Sequence, residues 1–128
     1  MKITHVKIGR RTFALAFTMD AMAVIQDRID NFNLHELTNY VKSPRSLVDI
    51  LDALAQQGEL LEGRTIDVDR AWFGSHMSPS PLNVNKLHMA VLNALSDGLA
   101  MNAEAEDEDN GEVDVVLEEL RKKEKPAD

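Results

Sequence analysis

Cysteine is absent from this chain of 128 residues. That excludes a disulfide framework, a thiolate metal site and a cysteine nucleophile. Aromatic residues are scarce, 5% against 44% apolar residues overall, so aliphatic and methionine side chains must fill the core. No apolar run approaches the roughly 20 residues of a membrane span. The N-terminal MKITHVKIGR lacks the continuous apolar stretch of a signal peptide. Positive charge is in deficit, with a net charge of −8. Duplex DNA and anionic membranes reward Lys and Arg, so neither nucleic acid nor a membrane is expected as a partner. A soluble, intracellular protein of one domain is the expectation.

The acidity is unevenly placed. Residues 1–101 carry 10 Lys/Arg and 11 Asp/Glu, whereas residues 102–128 carry 4 and 11. The chain therefore reads as a nearly neutral domain over 1–101, an acidic linker over 102–111 expected to be disordered, and a short amphipathic segment with a basic end over 112–128. In NAEAEDEDNG, five acids within six positions repel one another and there is little to bury.

What is present in the first part is a change of period. ITHVKI and RTFALAF flank Gly9-Arg10, and a two-residue loop with Gly first suits a type II′ hairpin turn. This register pairs Val6 with Phe13 and Thr4 with Leu15. Thr18 is a good N-cap, Asp20 suits the first turn, and Met22, Ile25 and Ile29 recur at helical spacing over about 18–30. Asn31 or Asn33 can cap a short helix carrying Leu34, Leu37 and Val41. Ser43 and Pro44 open a third helix striped by Leu47, Ile50, Leu51 and Leu54, with Gly58 and Gly63 punctuating its end. TIDVDRAWFGS is expected to hold a helix of two turns ending at Gly74. Ser80 and Pro81 start a long helix to about Met101, with Val84, Leu87, Val91, Leu92, Leu95 and Leu99 inward. The fold class is mainly α (α+β): an N-terminal β-hairpin, a compact bundle of about five helices and an acidic C-terminal tail.

No constellation for catalysis stands out. His5, His35, His76 and His88 lie far apart without ligand spacing, and His88 falls on an apolar stripe as a structural histidine would. Ser75 and His76 are adjacent, which is not a triad, and a lone hairpin glycine is not a phosphate loop. Asp67 and Asp69 could meet a hard cation, but capping and solvation explain them with fewer assumptions. No cofactor, metal or catalytic residue is assigned. An enzyme would need a pocket uniting Asp67, Asp69 and His76.

Six methionines supplement the poor aromatic content, as gap fillers or as an adaptable binding surface. In the tail, Val113, Val116, Leu117 and Leu120 fall at i, i+3, i+4 and i+7, with acids ahead and Arg121, Lys122 and Lys123 behind. A helix of this length is marginal alone. It reads equally as one more helix docked on its own domain or as a partner-binding segment on an acidic tether.

Residues 8–27, IGRRTFALAFTMDAMAVIQD, resemble the start of the tail assembly chaperones of long-tailed bacteriophages. Gly9 matches that family's turn, Phe13, Leu15 and Phe17 its alternating strand, Thr18 its cap, and Ala21, Met22 and Ile25 its first helix. The layout of a helical middle and charged tail also matches, while Gln26 stands where the family often has Glu. The resemblance implies a non-enzymatic helper in the host cytoplasm, absent from the mature virion. It would keep the tape measure protein soluble and help recruit tail tube protein, with self-association left open. It also implies a longer frameshifted form, for which the codons of Lys122-Lys123 are the candidate slippery site. The partner contacts expected are Val113, Val116, Leu117 and Leu120, then Met19 and Met22. A structural connector or acidic-tailed adaptor is the alternative.

Overall fold

The structure is a computed structural model that describes residues 3–106. Two antiparallel strands, β1 (Thr4–Ile8) and β2 (Arg11–Leu15), precede α1 (Met19–Arg28). A 3₁₀ turn (Leu34–Glu36) runs into α2 (Leu37–Tyr40), followed by α3 (Pro44–Leu61), α4 (Arg70–His76) and α5 (Pro81–Glu106). The hairpin and five helices are the architecture expected from the sequence. The tail residues Val113, Val116, Leu117 and Leu120 lie outside the described residues, as does the chain beyond Glu106.

The hairpin register is the one the turn dictates. Thr4 opposes Leu15 and Val6 opposes Phe13, with Gly9 at φ +63° in the turn. Val6, Ile8, Phe13 and Leu15 are buried. Phe13 meets Phe73 edge-on at 4.9 Å and Trp72 at 5.6 Å between ring centroids, so three of the few aromatic rings are spent on one contact. Aliphatic residues of α3 and α5 complete the core, with Ile50, Leu51, Leu54, Leu92, Leu95 and Leu99 all buried.

β2 is joined to α3 through its backbone. Ala16 N–H donates to the Leu54 carbonyl at 3.0 Å and Ala14 N–H donates to Glu59 Oε2 at 2.9 Å. A helix comes this near a strand only where a side chain is missing. A Cβ on Gly58 would lie 2.1 Å from the Ala14 carbonyl oxygen. Gly58 therefore lies inside α3 as a contact residue and does not punctuate the helix end as its sequence position suggests. Gly63 does, at φ +80°, with Arg64 N–H on the Glu59 carbonyl and Gly63 N–H on the Leu60 carbonyl. Gly98 repeats the close approach in α5, where a Cβ would lie 2.5 Å from the Phe17 carbonyl oxygen.

Other differences from the sequence reading are local. Ser43 stands at the N-cap of α3, but its side chain makes no capping bond. Val84 is exposed, lying at the edge of a groove between the starts of α3 and α5 rather than in the core. α5 continues to Glu106, so residues 102–106, assigned by composition to the linker, are helical. Among the described residues no helix is long and apolar enough to cross a membrane.

Candidate protein-binding surfaces

The strand-to-helix junction is fixed by one hydroxyl. Thr18 Oγ1 accepts from Ala21 N–H at 3.2 Å, capping α1, and donates to Gln57 Oε1 of α3 at 3.1 Å. Met19 comes next and is 75% exposed. Leu60 and Leu61 lie one turn beyond Gln57 and are 62% and 53% exposed. Helical side chains lean toward the N-terminus, so Leu60 and Leu61 lean back over the Gln57 turn. Met19 is thus next to Thr18, and Leu60 and Leu61 are one helical turn from its partner Gln57. Met22 differs from Met19, being half-buried against the core. Leu60 and Leu61 are not singled out in the sequence: Leu61 continues the periodic stripe of α3 seven residues after Leu54, and Leu60 stands beside it in the last turn.

A second surface is a groove of about 250 Å³ between the start of α3, the α4–α5 connection and the start of α5. Leu47, Val48, Met77, Val84 and Leu87 line it and Lys42 stands at its edge. Its lining includes no carboxylate. Nothing in the sequence announced it, since its walls come from three separated segments.

A third groove, of about 470 Å³, lies between α1, α3 and α4, with Arg28, Asp52, Asp69 and Arg70 among its lining. Its charged groups are already paired. Arg28 reaches Asp52 at 2.8 Å and donates to the Asp49 carbonyl at 2.8 Å. Arg70 Nε donates to Asp49 Oδ1 at 2.7 Å. Gln56 donates both to Asp52 and to the Val68 carbonyl. These bonds tie α1 and α4 to α3, a structural use of two buried carboxylates.

The remaining chemistry-bearing residues of the sequence fall into local roles. Asp69 caps α4 by accepting from Trp72 N–H at 3.0 Å, and Asp67 pairs with Arg11 at 2.8 Å. The Arg11 guanidinium holds the Asp67 carboxyl below its usual range. His76 Nδ1 lies 2.8 Å from the Trp72 carbonyl, which requires it to donate there, so it does not take a proton from Ser75 Oγ at 3.1 Å. The His76 ring stacks on Trp72 at 4.1 Å. His88 is half-buried on α5. Among the described residues no group of three His, Asp or Glu is placed to hold a metal ion.

Glu59 is, with Asp49 and Asp52, one of three buried acids that the sequence reading did not single out. Arg64 donates to it through Nε at 3.0 Å and Nη2 at 2.8 Å. Those bonds, with Ala14 N–H, hold its carboxyl below the usual glutamate range against the opposing effect of burial. Glu62, between Arg64 and His5, is lowered for the same first reason. No protein-family model, curated protein or solved structure matches this chain.

Proposed function

We propose that this chain is a non-catalytic tail assembly chaperone of a long-tailed bacteriophage. It binds the tape measure protein, keeps that long helical chain soluble, and helps recruit tail tube protein around it. The observation that carries the reading is the exposed Met19–Leu60–Leu61 surface at the strand-to-helix junction. Its Met19 lies within residues 8–27, the segment that resembles the family, while Leu60 and Leu61 come from the end of α3. Methionine and leucine are suited to a client of repetitive apolar stripes, because they adapt to many shapes without demanding a fixed geometry. Val113, Val116, Leu117 and Leu120 are proposed as a second contact. The protein would act in the host cytoplasm and be absent from purified particles. Its presence there would favour the structural connector instead.

The test is co-expression with the products of the neighbouring genes. The full chain is expected to retain a long helical protein in the soluble fraction. The double variant Met19→Asp/Leu61→Asp is expected to lose most of that recovery while keeping the helical circular dichroism of the parent. If the neighbours stay insoluble and none co-purifies, the chaperone reading falls.

A further inference from the structure

We infer that, in the chain free of any partner, the apolar groove between the starts of α3 and α5 is filled by the chain's own tail segment, residues 112–120, with Leu117 and Leu120 seated in it. The inference stands apart from the chaperone reading, which survives its failure.

The groove is an apolar hollow. Leu47, Val48, Met77, Val84 and Leu87 line it, and no carboxylate is in the lining. Val84 on its edge is exposed, and so is Leu82 in the same first turn of α5. Apolar surface in water favours an apolar side chain that covers it. Met19, Leu60 and Leu61 are exposed as well, but they stand out from the body, whereas the groove takes a side chain in.

The tail supplies the matching face. Val113, Val116, Leu117 and Leu120 recur at helical spacing between Glu112, Asp114, Glu118 and Glu119. Such a short helix is marginal alone and forms where its apolar face is buried. Its four carboxylates meet no like charge in the lining.

Chain length allows the fit within one molecule. α5 covers about 28 Å from Leu87 to Glu106 at 1.5 Å per residue. With the 8–10 Å offset of a packed neighbouring helix, the path back to the level of Leu87 is about 30 Å. The residues from Glu106 to Glu112 span at most about 20 Å extended, and a helix from Glu112 to Leu120 adds about 12 Å. Turned back along α5, the tail therefore brings Leu120 level with Leu87, with Leu117 one turn behind it. A segment on so short a tether meets its own body at an effective concentration in the millimolar range, so a second copy competes only when the protein itself is that concentrated.

The absence of cysteine opens a direct test by disulfide trapping in the full-length protein. Val84→Cys/Leu120→Cys puts one thiol on the groove edge and one on the tail. Met19→Cys/Leu120→Cys is the control. Met19 follows Thr18, which is bonded to Gln57 near the far end of α3, and Gly98 packs on Phe17, so this site lies nearer the exit of α5 and tether proximity alone favours it. Both variants are oxidised with glutathione disulfide at micromolar protein and followed by non-reducing electrophoresis. The Val84 pair is expected to close an intramolecular disulfide at least about tenfold faster than the control. Adding Val116→Asp/Leu117→Asp is expected to abolish that advantage, because the tether remains and the apolar face does not. Where Val84→Cys fails to keep the parent's circular dichroism, Leu82→Cys serves in its place. Equal rates for the two pairs, a faster Met19 pair, or an advantage that survives the aspartates would each overturn the inference. A disulfide-linked dimer as the main product of the Val84 pair would assign the tail to another copy, which also overturns it.

Discussion

Gly58 and Gly98 decide how near the helices come to the hairpin, and neither role is visible in a helical periodicity. A Cβ on Gly58 meets the Ala14 carbonyl oxygen at 2.1 Å and the Leu15 nitrogen at 2.6 Å, both backbone atoms that cannot swing aside. Gly58→Ala is therefore expected to destabilise the protein by about 3 kcal/mol or more, despite alanine's better helix propensity. Gly74→Ala is the control. Its Cβ would lie 3.3 Å from the Arg70 guanidinium, the far end of a flexible side chain, so the change in stability is expected to stay within about 1 kcal/mol. Urea denaturation of both variants checks the contrast. In the sequence Gly58 and Gly74 both read as helix termini, because glycine signals an end and a close contact with the same letter. Only the partner strand distinguishes them.

The elements were legible where their signals are local. Alternation gave β1 and β2, the Gly9 turn gave their register, and Thr18, Pro44 and Pro81 mark the starts of α1, α3 and α5. What a start signal does not reveal is whether its side chain caps. Thr18 and Asp69 each accept a first-turn N–H, at 3.2 and 3.0 Å, whereas Ser43 accepts none. Thr18→Ala and Asp69→Ala are expected to cost about 1 kcal/mol each, and Ser43→Ala less than about 0.5 kcal/mol. Thermal unfolding of the three variants tests that order. The binding surfaces were less legible. Met19 could be picked out beside a cap, but Leu61 continues the core stripe of α3, and nothing short of the packing shows where the core stops.

Taken whole, the body is fastened by carboxylates whose pKa values lie below their usual range. Glu59 falls from the ordinary value of 4.5 because Arg64 and the Ala14 N–H bind its charged form, Glu62 follows through Arg64 and His5, and Asp67 through Arg11. Each binds fewer protons folded than unfolded near its ordinary pKa. Their stabilisation is present above about pH 4.5 and is lost as pH falls through the lower folded values. Stability measured by denaturant titration is expected to drop on acidification through that window, and Glu59→Gln is expected to flatten part of the drop. These bonds gather the hairpin, the end of α3 and the loop after it, residues spread from His5 to Asp67 that no local pattern connects. The backbone joint between β2 and α3 also bears on the sheet's edges. The outer edge of β2 has its Ala14 and Ala16 donors occupied, and a lysine ammonium sits on the Lys7 carbonyl of the other edge. A two-stranded sheet so guarded offers a poor template for strand addition. With both edges occupied, the hairpin resists being drawn into a growing cross-β stack even where the protein is concentrated.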